Sequence, residues 1–488
     1  MQLARALRPY TYQRHQPEKT VLYKIVQENL ETFLNLVHQE YDRPLPDFVE
    51  QEFRDYLKCG ILAHGFLRSK CESCHNEHLI AFSCKRRGFC PSCGGRRMSE
   101  SAIHLVDEIL PIKPIRQWVL SFPIELRGLL AVRPKIMSEI LNIATSVIVK
   151  HLGKKAGFKR TQCKSGSVTL IQRFGGSINL NVHFHQLFLD GVYELDADGK
   201  PNEFHITKAP THKELGEVLN AIIGRTTKLL EKRGIIRRDE DSLQIDLSED
   251  DALTRLQAGA ATYRFALGPN KGKKALTLKT VPDTDHVATK GLVAKNSGFS
   301  LHAGVAMTGT ERDKIEKLCR YIARPAIALE RLSLNQRGQV VYTLKKPYDD
   351  GTTHIVMTPL ELMERLAAIV PRPRVHLTRF AGVFAPHYKF RALVVPKPKA
   401  KPAEKPNDKP QSNSRISWAQ LLKRVFGIDV EACHLCSGKM TIIAAIEEPA
   451  VIRKILSHLG LPTKPPEPWP ARGPPAPDPF EPQQHFDF

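Results

Sequence analysis

Three groups of side chains in this sequence have the types and spacing to do chemistry. The first is His183-Phe184-His185, within "SINLNVHFHQLFLDGVY". If Ile178 to Leu189 forms a strand, its side chains alternate between two faces. Leu180, Val182, Phe184 and Phe188 then share an apolar face, while Asn179, Asn181, His183 and His185 share a polar one. Two imidazoles at i and i+2 can converge on one cation. An aromatic-rich strand that merely carries two imidazoles is the rival reading, and Gln186 is a misfit on the apolar face. The second group lies in "TERDKIEKLCRYIARPAIALERL". Glu311 to Arg324 reads as a helix with Ile315, Leu318, Cys319 and Ile322 on one stripe, ended by Pro325. Tyr321 falls roughly a hundred degrees from the centre of that stripe, at the edge of the buried face. Arg320 and Arg324 on the same helix suit a phenolate or a phosphate. A cation beside a tyrosine makes one reaction available: the metal polarises a phosphodiester and the tyrosine oxygen attacks it.

Cysteines form the third group. Cys71-x2-Cys74 and Cys90-x2-Cys93 each have knuckle spacing, and four thiolates close a tetrahedral Zn2+ site of the structural kind. Cys84 is an alternate ligand, with Cys59, His75 and His78 nearby. Around the cluster, Lys85, Arg86, Arg87, Arg96 and Arg97 suit phosphate contacts, against the plainer alternative of a solvated basic face. Farther on, Cys433-x2-Cys436 is half of the same pattern without a partner pair, a candidate for a second zinc site.

The elements that must position these groups are partly readable. In "TLIQRFGGSINLN", Gly175-Gly176 suits a two-residue hairpin turn that pairs Gln172 with Asn179 and puts Gln172 on the histidine face. A one-residue slip would reverse that face. In "GFSLHAGVAM", Phe299, Leu301, Val305 and Met307 alternate with Ser300, His302 and Gly304. His302 is thus a candidate third metal ligand, with Gln172 a weaker one and a bland role for His302 the rival. Helical spacing covers residues 18–39 and 46–58, whereas "RQWVLSFPI" and "SVTLIQRF" read as strands. The fold class is α+β. Residues 1–105 read as a helical, zinc-binding DNA-binding domain and 112–395 as the catalytic domain. A Pro/Lys linker at 396–415, a small module at 416–461 carrying the last CxxC, and a Pro-rich, disordered tail at 462–488 follow.

The chain has 488 residues and a formal charge of +21, with 72 Lys+Arg against 51 Asp+Glu. That excess points to a polyanionic partner, nucleic acid before membrane. Neither a secretory h-region nor an apolar run of membrane-spanning length is present, so the expectation is a cytoplasmic, nucleoid-associated protein. No GxxxxGK[ST] phosphate loop is found, so DNA unwinding is expected to come from a host helicase.

Taken together, these motifs resemble the HUH transposases of rolling-circle insertion sequences, specifically the insertion-sequence ninety-one family and its common-region (ISCR) relatives. The likeness rests on "SCKRRGFCPSCGGRR", "RQWVLSFPIELR", "IQRFGGSINLNVHFHQLFLDGVY", "FSLHAG", "LCRYIARPAIALERL", "MTPLELMERLAAIVPRPRVHLTRFAGVFAPH" and "WAQLLKRVFGIDVEACHLCSGKM". The resemblance implies a central antiparallel sheet presenting His183 and His185, and a helix delivering Tyr321. It implies cutting of single-stranded DNA at element ends with Mg2+ or Mn2+ through a 5′-phosphotyrosine, working with the host replication machinery, and it leaves oligomerisation open. Two-tyrosine members carry a second tyrosine four residues on; Pro325 stands there, so Tyr321 is the single nucleophile, as in the ISCR-like branch. A plasmid or phage replication initiator or relaxase with the same chemistry is one alternative. A non-enzymatic zinc-dependent DNA-binding protein is the other.

Overall fold

The computed structural model describes residues 15–239, 242–245, 251–280, 291–396 and 431–473. Most of the expected linker, the start of the expected C-terminal module and the end of the tail lie outside these residues. Thr20 opens α1 (Val21–Tyr41) by accepting the Tyr23 N–H at 3.2 Å, which satisfies one of the amides a helix start leaves unpaired. Leu22, Val26, Leu30, Phe33 and Val37 are buried along its length. α2 (Asp47–Lys58) starts after Pro46 and buries Val49, Phe53 and Leu57. The hairpin β1 (Phe66–Cys71) and β2 (Glu77–Ala81) follows, then α3 (Pro91–His104). These elements are the head of the molecule.

The body continues through β3 (Ile115–Ser121), α4 (Ile124–Val132), α5 (Pro134–Lys155), β4 (Gly166–Phe174) and β5 (Leu180–Leu189). It then runs through α6 (His212–Lys232), α7 (Ala252–Ala261), β6 (Val293–Asn296) and β7 (Phe299–Met307). α8 (Arg312–Ile322), α9 (Pro359–Ile369) and β8 (Thr378–Gly382) complete it. Six strands pair antiparallel in the order β6-β7-β3-β5-β4-β8. Each face of this sheet has its own cover. Trp118, Leu120, Phe122, Phe184, Phe188 and Leu301 are fully buried on one face, where α4 and α7 meet β5. On the other, Leu170, Leu187 and Leu189 pack with Ile315, Cys319 and Ile322 of α8. Burying one Phe of this kind contributes on the order of 2–3 kcal/mol.

Alternation in β5 is as expected, and Gln186 finds partners: its Nε2 donates to Thr145 Oγ1 at 3.2 Å and Thr169 Oγ1 at 3.4 Å. In β7 a bulge between His302 and Val305 moves Val305 and Met307 off the face that Leu301 occupies. The hairpin register differs from the two-residue turn. Gln172 lies opposite His183, and Phe174 opposite Leu180 across a bulge. Residues 175–179 form a longer loop, with the Gly175 N–H donating to Asn179 O at 3.0 Å and Ile178 at φ +60°. The partner of Gln172 moves by four residues, an even number, so Gln172 stays on the histidine face.

Head and body share one hydrophobic core, running from Leu22 and Phe53 to Phe184 and Leu362, and Tyr41 Oη donates to Ala266 O at 2.5 Å. At the other end of the chain, β9 (Met440–Ile446) and α10 (Pro449–His458) belong to the head. β9 pairs antiparallel with β1, while Ile452 and Leu456 pack on Phe66. The start of the tail, expected to be disordered, lies along α1: the Trp469 N–H donates to Gln27 O at 2.9 Å and the Arg472 N–H to Thr32 Oγ1 at 2.9 Å.

Candidate active site and thiol clusters

His183 and His185 are buried, with Nε2 atoms 3.1 Å apart. His183 Nδ1 lies 2.8 Å from Asn181 O and therefore carries the proton, which leaves Nε2 as a lone pair. His185 Nδ1 is 2.8 Å from the Gln117 side-chain amide of β3. With the amide NH2 toward the ring, His185 Nε2 carries the proton and donates to His183. With the amide reversed, both Nε2 atoms are lone pairs on one point. Burial lowers the His183 pKa to about 4, the charges of Arg324 and Arg127 adding to it. Burial likewise lowers His185 to about 3, helped by His183 and Arg324. Both rings are thus neutral at neutral pH, as metal ligation requires. Adjacent donors about 2.1 Å from an octahedral cation lie about 3.0 Å apart, so the pair fits two neighbouring positions of a divalent ion.

The tyrosine helix runs across this face. It ends at Ile322, two residues before the expected end, and Tyr321 is 46% exposed. Gln172 Nε2 donates to Ile322 O at 3.0 Å. The residue opposite His183 therefore ties down the carbonyl next to Tyr321. The Arg324 guanidinium lies 4.7 Å from the Tyr321 ring centroid and 5.6 Å from that of Phe174. Lys345 approaches the Tyr321 ring from another element, at 5.1 Å. Arg320, by contrast, is paired with Glu316 on its own helix. Sequence reasoning missed Gln117, Arg127 and Lys345. Gln117 and Arg127 lie in "RQWVLSFPIELR" without a spacing that marks them, and Lys345 lies in no quoted stretch; sheet order and chain crossing bring them here.

His302 does not join the pair. It lies opposite Val119, which lies opposite His185, so it shares their face from two strands away, about 10 Å. Its Nε2 turns along its own strand; a Cβ added at Gly304 would sit 3.1 Å from it. Among the described residues, no set of three His, Cys, Asp or Glu donors includes the pair. Gln172 is beside His183, but its amide nitrogen is engaged by the helix.

The cysteines regroup. Instead of Cys71, Cys74, Cys90 and Cys93, the structure assembles Cys59, Cys84, Cys90 and Cys93 in one set and Cys71, Cys74, Cys433 and Cys436 in another. All eight are free thiols. In the first set Cys59 Sγ lies 3.7 Å from both Cys90 and Cys93, and Cys84 Sγ lies 3.4 Å from Cys93. Four thiolates about 2.3 Å from a tetrahedral zinc stand about 3.8 Å apart, so the set fits that ion. The physical reason for the regrouping is helical. Cys90 and Cys93 occupy the start of α3, facing Cys59 at the end of α2, while Cys71 sits at the end of β1.

The basic residues around the cluster are largely occupied by the fold. Arg86 pairs with Asp55 and Arg96 with Glu100. Arg87 donates to the carbonyls of Val375 and Arg372, and Arg97 to those of Arg86 and Lys85. Lys85 is exposed. The helix that carries Cys93 packs on the tyrosine helix, and Gly94 in α3 leaves room for Pro325 just past that helix's end, whose Cβ would stand 3.1 Å from an added Cβ.

Comparison with known families gives two matches. Residues 25–122 match the transposase zinc-binding domain of the IS91 type, and residues 166–391 match the transposase family Y2_Tnp. No curated protein and no solved structure gives a significant match. The first match spans six of the eight clustered cysteines, and the second spans His183, His185 and Tyr321.

Proposed function

We propose that this chain, an IS91-like transposase with a structural zinc by the two matches and its thiol clusters, cuts single-stranded DNA at the ends of its element with Tyr321 as nucleophile. The observation that carries this reading is the Gln172 bridge, which fastens the end of the tyrosine helix beside His183. The Tyr321 oxygen attacks the scissile phosphorus, and the bond from phosphorus to the 3′-oxygen breaks. The departing oxygen takes up a proton and leaves as a free 3′-hydroxyl, while the 5′-phosphate stays on Tyr321. His183 and His185 would hold Mg2+ or Mn2+, which supplies Lewis-acid polarisation of the phosphate. Arg324 and Lys345, already on the Tyr321 ring, are placed to offset the phosphate's charge. Gln117 fixes the His185 ring, and its reversed amide favours the ligating tautomer.

Pro325 occupies the position four residues after Tyr321 and packs on Gly94, so strand exchange between two tyrosines of one chain is not the route. Rejoining uses the released 3′-hydroxyl or a second subunit. Unwinding is assigned to a host helicase. No helix among the described residues is long and apolar enough to cross a membrane. The test is to incubate the full chain with labelled single-stranded DNA from candidate element ends and Mn2+, then run a denaturing gel. A covalent protein–DNA band is expected, lost in Tyr321→Phe and His183→Ala. An adduct that persists in Tyr321→Phe overturns the nucleophile assignment.

A further inference from the structure

The zinc-binding match stops at residue 122, and within it Cys71 and Cys74 are left as half a site. The other half comes from more than 350 residues away. Cys71 Sγ lies 3.5 Å from Cys436 Sγ, and Cys74 Sγ lies 3.5 Å from Cys433 Sγ. The two CxxC segments have the same backbone form. In the first, the Cys71 N–H donates to Asn76 O and the His75 N–H to Cys71 O. In the second, the Cys433 N–H donates to Gly438 O and the Ser437 N–H to Cys433 O. His75 and Ser437, each four residues after the first cysteine, both sit at φ +60°. Amides also point at the sulfurs: Cys74 N–H to Cys71 Sγ at 3.5 Å, and Gly438 N–H to Cys436 Sγ at 3.4 Å. Two matched knuckles facing each other are the arrangement in which four thiolates close on one tetrahedral ion.

The close approach is built into the sequence at Gly438. A Cβ there would stand 2.5 Å from Ser73 Oγ and 2.9 Å from Cys71 Sγ. Across the seam the Glu72 N–H donates to Lys439 O at 2.9 Å, and β9 continues directly into its pairing with β1, Cys71 opposite Met440.

We infer that Cys71, Cys74, Cys433 and Cys436 form a second structural zinc site whose metal fastens the segment 431–473 onto the head. The site makes the C-terminal CxxC part of the zinc-binding unit, which is thus discontinuous in the chain. The inference does not rest on the nicking chemistry. The two metals differ in access. Cys59, Cys90 and Cys93 are buried in the first set, while Cys74 and Cys436 are exposed in the second. The second ion is therefore the one a chelator reaches first, and its removal leaves the segment held by the β9–β1 hydrogen bonds, by Ile452 and Leu456 on Phe66, and by the Trp469 and Arg472 amides on α1.

Native mass spectrometry of the full chain tests this by counting zinc. Two ions per chain are expected for the wild type and one for the double variant Cys433→Ser/Cys436→Ser. Limited proteolysis should release the 431–473 segment faster from the double variant than from the wild type. Gly438→Val, which retains all four thiols but blocks the approach, should also drop to one. A double variant that keeps the wild-type zinc count overturns the proposal. The adduct assay above reads a different site, so the two ideas fail separately.

Discussion

Head and body of this molecule hold buried polar chemistry in place by opposite means. The head gathers eight thiols into two sets, and its geometry fits metal–sulfur bonds. The body, though it shares one hydrophobic core with the head, settles its buried polar groups with hydrogen bonds and charge pairs. Arg116 of β3 meets Asp190 through two contacts, at 2.9 and 2.7 Å, and Gln186 is shared between two threonines. Metal ligation is strong but conditional on thiolates and zinc, whereas the body's contacts are individually modest but independent of any ion. Chelators and oxidants should act on one half, pH on the other.

The largest effect is expected in the first thiol set. Cys90→Ser removes a ligand that is 4% exposed, at the junction of α2 and α3. Structural zinc binding in small domains is worth on the order of 10 kcal/mol. The variant should lose one zinc and melt well below the wild type, read as a lowered thermal transition by circular dichroism. A single transition at the wild-type temperature would remove the contrast between the halves.

Next comes pH, acting on the body. Burial, chiefly, raises the Glu364 pKa to about 8, and its Oε1 accepts the Ala266 N–H at 2.6 Å. The folded protein keeps this proton where an unfolded chain would lose it near the ordinary value of 4.5. Between those pH values the native state binds the extra proton, so stability falls as pH rises through the window. The loss from this residue is on the order of a few kcal/mol. Glu364→Gln keeps an acceptor for Ala266 and should lack this loss, so the stability gap between variant and wild type should widen from pH 5 to pH 8 in urea denaturation. A constant gap would refute the assignment.

A third substitution asks whether the halves communicate. Gly94→Val in α3 forces Pro325, and with it the end of the tyrosine helix, to shift. Nicking is expected to fall roughly tenfold, the size of effect that small misplacement of a reacting group produces, while the zinc count stays at two. Unchanged nicking would mean the head carries the catalytic helix without positioning it.

Much of this was legible in the sequence where periodicity decides the outcome. Alternation fixed the faces of β5, so His183 and His185 converge while Phe184 anchors the strand, and helical spacing set Tyr321 beside the buried stripe of its helix, where it is exposed. What stayed hidden depends on which segments meet. Alternation gives the face of His302 but not its distance from β5, and the intervening β3 puts it out of reach. Cysteine spacing identified the knuckle at Cys71 but not its partner, because the CxxC nearest in sequence occupies a helix start facing another way. Of the basic residues next to the cluster, the four arginines are paired with Asp55, Glu100 and backbone carbonyls, partners that spacing does not reveal, while Lys85 is exposed.

The smallest expected effect isolates the bridge on which the catalytic reading depends. Gln172→Leu keeps the side chain's bulk but leaves Ile322 O without its 3.0 Å donor. Losing one such hydrogen bond costs about 1 kcal/mol, so the melting temperature should move by only a few degrees. The zinc count should not change, since no thiol is touched. Nicking should fall much more than stability, because the carbonyl that is released adjoins Tyr321 and the strand residue that held it lies opposite His183. Adding Mn2+ in excess should not restore the rate if the defect is placement of the helix. Full rescue by Mn2+ would instead make Gln172 a contributor to the metal, the role that the sequence alone suggested for it.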